Sequence, residues 1–272
     1  MPNSTTLMEA PRLQQAIDFA DEARDLHALL AGMDDNQRSE PTGFKAWTTE
    51  DIVRHLHLWN QAADFSAVQP DALTLLKARI DAAGSMRVVE RESVPETGDA
   101  LVTAWIELVL DMEARWVDLD PKRRLPWVGP DMSARSSMTA RQMEHWAHGQ
   151  AIYDLLGKER QDAARLKNIV VLGVNTFGWT FAVREQQAPG AMPHLSLTAP
   201  DGDIWSYGGS DTDRISGSAK EFCQVVTQTR NIADTALYVE GSVAEAWMQN
   251  AQCFAGGPET PPAAGTRRRR TV

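Results

Sequence analysis

Glu144 and His148 stand four residues apart in a stretch whose hydrophobic pattern predicts a helix. At this spacing the two side chains project from the same face, one helical turn apart. Ala147 and Ala151 share that face, which indicates that it turns toward the interior of a bundle. A carboxylate and an imidazole in apolar surroundings are costly unless they are paired, hydrogen-bonded or bound to a metal. The pair therefore predicts either an internal hydrogen bond or part of a metal site.

His55 presents the same conflict on an earlier helix, where it lies among Ile52, Leu56 and Trp59 on the stripe predicted to be buried. Inward ligand-type side chains from facing helices are typical of metal sites in bundle cores. Two imidazoles and one carboxylate are donors of catalytic zinc and leave one position for water or substrate, and they also suit ferrous iron or nickel. The residues alone leave open that these side chains are simply hydrogen-bonded. That ordinary interpretation is kept for the other histidines: His27, His57, His145 and His194.

The composition is that of a globular, acidic protein. With 272 residues, of which 43% are hydrophobic, the chain can build one large core or two ordinary ones. Its formal net charge of −10 produces a field that repels nucleic acids and anionic lipid surfaces. We therefore expect neither a nucleic acid nor a membrane as partner, and instead a small-molecule substrate.

The cysteine content and the apolar runs indicate the compartment. The longest apolar runs are far shorter than the roughly 20 residues that cross a bilayer, and no export signal is recognisable. Cys223 and Cys253 both fall in apolar patterns of the C-terminal part, which is typical of reduced core residues. The expected location is the cytoplasm, and the expected assembly is a monomer or homodimer.

Helical periodicity dominates the first two-thirds of the chain. Apolar stripes predict helices over about residues 7–33, 97–117 and 133–156, and a capping-box pattern at residues 48–51 opens another that carries His55. Pro121 and Pro126 impose a loop before the last of these. A further helical pattern covers residues 166–184. Four long amphipathic helices predict a bundle.

After residue 189 the pattern changes to that of a small α+β domain. Alternation at residues 194–198 and 204–207 around Asp201-Gly202 predicts a β-hairpin, and residues 236–239 predict another strand. Capping-box patterns beginning at Ser218 and Ser242 predict two helices. The predicted division is a helical bundle at residues 1–188, an α+β domain at 189–257 and a disordered tail at 258–272, which contains four consecutive arginines.

Two short motifs carry a resemblance to a known family. Residues 47–56 (WTTEDIVRHL) resemble the tryptophan-to-histidine motif of DinB-like bundles, especially the N-terminal domain of mycothiol-dependent maleylpyruvate isomerase. Residues 144–149 (EHWAHG) resemble the second metal motif of that family. The resemblance implies a DinB-like four-helix bundle that binds zinc through His55, Glu144 and His148. It also implies a small α+β second domain related in shape to sterol carrier proteins.

The resemblance further implies a thiol-dependent reaction. A low-molecular-weight thiol, mycothiol or a relative, is expected to reach the metal and to attack a small electrophile as thiolate. Arg230 roughly matches an arginine that closes a helix in the family and is the candidate catalytic anion-binding residue, although a surface helix-end arginine is an equal interpretation. Ala151 stands where isomerase-like members carry an acidic residue, and Asp154 lies one turn later.

Three functions are compatible with this sequence. The first is a zinc-dependent transferase or isomerase that uses a mycothiol-type thiol. The second is a non-catalytic protein that binds a small molecule or lipid and is stapled by a metal, which would require four protein ligands. The third is a metal-dependent hydrolase, for which no general base identifies itself. The nine tryptophans are interpreted mainly as core residues, with the lining of a substrate pocket as the alternative.

Overall fold

The computed structural model describes residues 12–270, so the start of the first predicted helix lies outside the described residues. The helices, in chain order, are α1 (Gln14–Leu30), α2 (Asp35–Ser39), α3 (Thr49–Val68), α4 (Pro70–Ala83), α5 (Met86–Ser93), α6 (Gly98–Trp116), α7 (Ala134–Leu155), α8 (Lys167–Asn175), α9 (Phe177–Ala182), α10 (Ala219–Val226) and α11 (Ser242–Asn250). The strands are β1 (Arg124–Leu125), β2 (Met132–Ser133), β3 (His194–Thr198), β4 (Ile204–Tyr207), β5 (Arg214–Ser218) and β6 (Tyr238–Glu240). The predicted fold class, a helical bundle followed by a small α+β domain, is confirmed.

The bundle consists of α1, α3, α6 and α7, which pack against one another along their apolar stripes. The predicted capping box at the start of α3 is present: the Thr48 hydroxyl accepts from the backbone N–H of Asp51, whose carboxylate accepts from the N–H of Thr48. This cap fixes where α3 begins and hence which face carries His55. Gly157, in the left-handed conformation, ends α7 as predicted.

Three helices of the bundle region carry no prediction from the sequence. They are α2, α4 and α5, which run between the first and third bundle helices. Each buries few apolar side chains: α2 buries none, α4 buries Leu73 and Leu76, and α5 buries Val89 together with Glu90. A helix that covers the bundle with so narrow an apolar stripe gives a weak periodic signal.

The α+β part is built on a four-stranded sheet with the order β4, β3, β5, β6. The predicted hairpin is present as the antiparallel pair β3 and β4, while β5 pairs parallel with β3 and antiparallel with β6. One face of the sheet is apolar and lies on α10, with Leu195, Leu197 and Ile215 fully buried. Strand β5 had no prediction, and the third predicted strand lies slightly later than expected, in β6.

Helix α7 belongs to two cores at once. Its Met138 and Ile152 pack in the bundle core, whereas Met143 and Trp146 pack with α8, α9, α10 and the sheet. The pattern over residues 166–184 forms two helices, α8 and α9, instead of one, and by packing they group with the second core, although the sequence placed them with the bundle. The predicted division into domains at residue 188 stays a prediction.

The helix caps of the second part differ from the sequence patterns. The Ser218 side chain makes no capping hydrogen bond at α10, and Ser242 is the first residue of α11 instead of its cap. The cap of α11 is Asp213, whose carboxylate accepts from the backbone N–H groups of Val243 and Ala244. Hydrogen bonds from Thr212 and from these N–H groups hold the pKa of the Asp213 carboxyl below its usual range. A cap distant in sequence cannot be read from a local four-residue pattern.

The C-terminal segment, which the sequence predicts to be a disordered tail, makes hydrogen bonds to the rest of the chain. The backbone N–H of Arg270 donates to the carbonyl of Asp154 at the end of α7, and the N–H of Gly265 donates to the carboxylate of Asp234. Arg267 stacks near Phe44 of the bundle region. Backbone hydrogen bonds and ion pairs therefore replace the apolar burial that this stretch lacks.

Both cysteines are buried, unpaired thiols, in agreement with the interpretation as reduced core residues. Burial raises the pKa of both thiols. Within residues 12–270, none of the helices combines the length and the apolar character that crossing a bilayer requires.

Candidate metal centre

His55 of α3 and Glu144 and His148 of α7 meet at one point, as predicted. A ligand atom of each lies within 4.8 Å of the others. The Nε2 atom of His148 is 3.1 Å from Oε2 of Glu144, and the Nε2 atom of His55 is 3.7 Å from the same oxygen. The two imidazole rings are 4.8 Å apart. Donor atoms this close, from two helices held by the bundle core, could together hold one cation.

The surroundings shift the pKa values of Glu144, His148 and His55 in different directions. Burial disfavours the charged form of Glu144, but the hydrogen bond from His148 and the nearby imidazole of His55 outweigh it and hold the pKa of this carboxyl well below its usual range. Burial lowers the pKa of His148. Burial also opposes protonation of His55, yet the nearby carboxylate of Glu144 and the hydrogen bond to Glu90 outweigh it and raise the pKa of this imidazole. The centre thus holds a carboxylate and at least one neutral imidazole, which is the protonation state of metal ligands.

Glu90 of α5 orients the imidazole of His55 by a hydrogen bond at Nδ1. Its Oε1 is 2.7 Å from Nδ1 of His55, while its Oε2 accepts from Arg87 at 3.2 Å. The Glu90 side chain is buried. A carboxylate that accepts the Nδ1–H of an imidazole leaves Nε2 with its lone pair free, and this is the usual support of a metal-binding histidine. Glu90 was not found from the sequence, because it lies on a helix whose existence the sequence did not predict.

We expect the Glu90→Gln variant to bind zinc roughly 10- to 100-fold more weakly, because a neutral amide orients and polarises His55 less well than a carboxylate. Competition with a chromogenic chelator measures the affinity. The matched control is Glu92→Gln on the same helix, whose carboxylate is 63% exposed and 3.5 Å from Arg79. Equal zinc affinities of the two variants would contradict the role of Glu90.

Two aromatic side chains enclose the outer side of the cluster. The ring of Trp47 stacks parallel to that of His148 at 5.7 Å and contacts His55 at 5.2 Å. Phe44 meets His148 edge-on at 4.8 Å. Trp105, Trp116 and Trp146 are fully buried, as expected for core residues. The tryptophan that lines the cavity is Trp47. The alternative expectation, that a tryptophan lines a pocket, therefore describes Trp47, which belongs to the first motif.

The cluster opens on a cavity of about 260 Å³ between the bundle and the second core. Residues 227–229 and several residues between 254 and 260 form its opposite wall. The side chains of His55, Glu144 and His148 are 15%, 21% and 11% exposed. Other residues of the same stripes, such as Ile52 and Leu56, are buried in the bundle core as expected, whereas these three side chains also line the cavity. Periodicity tells which residues share a helix face, but not whether that face meets a core or a cavity.

Within the described residues no fourth His, Cys, Asp or Glu joins the cluster. His57 is buried on another side of α3, where its Nε2 lies 3.0 Å from the amide of Gln61. His145 is fully buried, packs against Trp105, and burial lowers its pKa to about 3. Both agree with the ordinary interpretation made from the sequence. Three protein ligands beside a cavity match a catalytic site more closely than a structural one.

Arg230 forms an ion pair with Asp154 and makes no contact with His55, Glu144 or His148. Its guanidinium donates to both carboxylate oxygens of Asp154, at 2.7 and 2.8 Å, and to the carbonyl of Thr229. It is not among the described residues that form the cavity wall. The candidate catalytic role of Arg230 stays a prediction, since no contact places it beside the metal ligands. The sequence does not decide whether Asp154 replaces the acidic residue that isomerase-like members carry at the position of Ala151. In the structure Asp154 is the ion-pair partner of Arg230.

The first comparison concerns sequence. Residues 19–153 match the family described as the mycothiol maleylpyruvate isomerase N-terminal domain. Two uncharacterized proteins of Mycobacterium tuberculosis, MT0041 of strain CDC 1551 and Rv0036c of strain H37Rv, are each 35% identical over 245 residues, which is 89% of this chain and 95% of the relative. The similarity thus continues beyond the bundle through the second core.

The second comparison concerns structure. The fold resembles two crystal structures of the mycothiol-dependent maleylpyruvate isomerase, one of them of a mutant in which alanine replaces a histidine, with TM-scores of 0.51 and, for the mutant, 0.50. Each comparison covers 78% of this chain and 88% of the other at 16% identity. At this identity the likeness concerns the fold, and the chemistry must be argued from the side chains described above.

Proposed function

Because the chain belongs to the mycothiol maleylpyruvate isomerase N-terminal domain family, we propose that it is a zinc-dependent enzyme using a mycothiol-type thiol. Its reaction is that of a transferase or isomerase acting on a small electrophile in the cytoplasm. The observation that carries this proposal is the meeting of His55, Glu144 and His148 at the wall of a cavity. Three donors and an adjoining space allow a small molecule to reach the same point as the metal.

The donor set fits zinc, and it also fits nickel or ferrous iron. Two imidazole nitrogens and one carboxylate oxygen would hold the ion, with Glu90 fixing the orientation of His55. When bound, a divalent ion lowers the pKa of a thiol so that the thiolate prevails at neutral pH. No general base for the thiol is then needed, which agrees with the fact that every carboxylate at the cluster is already engaged by a histidine or an arginine.

The chain's own residues supply the remaining requirements. Phe44 and Trp47 cover the imidazoles and exclude water from that side of the cluster. Residues 227–229, which follow α10, line the same cavity as the three candidate ligands. A thiol and an electrophile confined together in about 260 Å³ gain rate by proximity. This support extends to the type of chemistry and to the site, while the particular electrophile is left to experiment.

The alternative function, in which the metal only stabilises the helical bundle, is less well supported. Such a metal would need a closed set of protein ligands, and His57, the side chain suggested for the fourth position, points elsewhere. A hydrolase would need a base near the metal that is available for water. Glu90, the nearest additional carboxylate, is occupied by His55 and Arg87.

The test is zinc-dependent turnover with mycothiol by the full-length protein. A transferase consumes the thiol, whereas an isomerase regenerates it and converts a cis alkene into the trans isomer, which ultraviolet absorbance follows. At pH 7 a thiol with an ordinary pKa is only a few per cent ionised, so complete ionisation raises the rate of attack by up to roughly 30-fold. Free thiol is measured colorimetrically with a panel of activated alkenes and aryl halides, comparing zinc-loaded with metal-free protein. Cys223 and Cys253 are buried and contribute little background. Absence of both zinc-dependent thiol consumption and zinc-dependent isomerisation of the alkenes, with mycothiol and with glutathione, would reject the proposal.

A further inference from the structure

Four consecutive arginines at residues 267–270 end the described chain, and they do not behave alike. Three have carboxylate partners: Arg268 with Asp234, Arg269 with Glu159 and Arg270 with Glu40. Arg267 alone of the four makes no ion pair within the part of the chain that the structure describes. Charge repulsion and solvation favour exposed positions for such a run, so an inward arginine without a carboxylate calls for an explanation.

Arg267 turns into the cavity of the metal ligands. Its Nη1 donates to the carbonyl oxygen of Gln228 at 2.5 Å, and its guanidinium carbon lies 5.0 Å from the centroid of the Phe44 ring. The same ring is 4.8 Å from that of His148. The guanidinium and a ligand imidazole are therefore separated by no more than these two contacts together, a distance that a small molecule can bridge. One carbonyl acceptor leaves most of the guanidinium N–H groups available to a ligand.

The other charges of the cavity wall are already neutralised. Glu144 belongs to the ligand cluster, and Glu259 is paired with Lys45 at 3.0 Å. Burial and the nearby charge of Arg230 lower the pKa of Arg267, which remains cationic because an arginine is fully protonated at neutral pH. Arg230 itself is held by Asp154. Among the described residues of the wall, Arg267 is thus the cation that lacks an anion.

We propose that Arg267 is the anion-binding residue of the metal cavity and receives a carboxylate of the ligand, whose other end lies at His55, Glu144 and His148. This inference rests on the proposed function for the identity of the cavity as the active site, and it narrows the electrophile to small molecules with a carboxylate. A planar guanidinium binds such a group through two parallel hydrogen bonds, and the partial exclusion of water strengthens them. The C-terminal segment would then be a part of the binding site.

The experiment measures equilibrium binding of maleate and of its uncharged diester, dimethyl maleate, to zinc-loaded full-length protein by titration calorimetry. We expect the Arg267→Met variant to bind maleate at least about tenfold more weakly, which corresponds to the loss of one charge-assisted bidentate contact. The Arg269→Met variant is the matched control, because it removes the same charge from a side chain that pairs with Glu159 outside the cavity wall. Arg267→Lys, which keeps the charge but not the fork, should bind with intermediate affinity.

Three results would overturn the inference. Wild-type affinity of Arg267→Met for maleate would mean that the metal alone holds the anion. Equal weakening by Arg269→Met would mean that only the overall charge matters, and equal binding of maleate and its diester by the wild type would mean that no anion site exists. Because binding requires no turnover, an Arg267-dependent maleate site in a protein that neither consumes thiol nor shows thiol-dependent isomerisation would support this inference while rejecting the proposed function.

Discussion

The His148→Ala variant is expected to purify without bound zinc, while the wild-type protein carries about one zinc per chain. His148 supplies one of three protein ligands, and its Nε2 lies 3.1 Å from the carboxylate of Glu144. Loss of a supporting residue alone weakens metal sites by roughly 10- to 100-fold, so removal of a ligand should cost more than that. The same result is expected for His55→Ala and Glu144→Gln. Elemental analysis by mass spectrometry gives the ratio of metal to protein.

The control for this experiment is His27→Ala, which removes a half-buried histidine of α1 that lies outside the cluster. Because the three ligands face a cavity, their replacement should leave the helical circular dichroism spectrum unchanged. Stoichiometric zinc in His148→Ala, or equal loss of zinc in His27→Ala, would show that the metal is held elsewhere.

The Glu22→Gln variant is expected to lower the free energy of unfolding by about 3 kcal/mol, a change of more than 100-fold in the folding equilibrium. Glu22 of α1 forms ion pairs with Arg160 and Arg165, and the side chains of Glu22 and Arg160 are only 4% exposed. Removing one partner of a buried pair leaves the other charge poorly compensated. Asp162, 3.5 Å from Arg160, limits the loss. Urea unfolding followed by tryptophan fluorescence measures the effect.

Asp25→Asn is the control for Glu22. Asp25 pairs with the same Arg165, but its side chain is 52% exposed, so its removal should cost less than about 1 kcal/mol. Arg160 also donates to the carbonyl of Trp146 and accepts at its own carbonyl from Lys220, so this network connects the two cores that enclose the cavity. A loss below about 1 kcal/mol in Glu22→Gln would mean that the connection does not depend on this ion pair.

Local patterns predict the bundle and the side chains that come together as candidate ligands. The stripes of α3 and α7 fix which side chains share a face, and the capping box at Thr48 fixes the start of α3. Glu144 and His148 lie one turn apart wherever the helix goes, so their proximity needs no knowledge of tertiary structure. That His55 joins them was expected by analogy with metal sites in bundle cores and from the resemblance of the two motifs to a known family.

The rest of the site depends on contacts between residues distant in sequence. Glu90 reaches His55 from a short helix with almost no apolar stripe, and its position 35 residues away gives no local signal. The cavity exists because the second core stands opposite α7, which periodicity within α7 cannot reveal. Similarly, an arginine gives no sign in the sequence of whether it will meet a carboxylate, as Arg230 does, or a cavity, as Arg267 does.

X-ray absorption at the zinc edge tests directly whether His55, Glu144 and His148 bind zinc and leave one position for a thiol. The full-length protein is measured before and after addition of mycothiol. We expect the zinc to have two imidazole nitrogens and one carboxylate oxygen as ligands, completed by a light atom, and a sulfur atom in place of that light atom once mycothiol is present. A shell closed by four protein ligands that mycothiol does not change, or a protein without zinc, would contradict it.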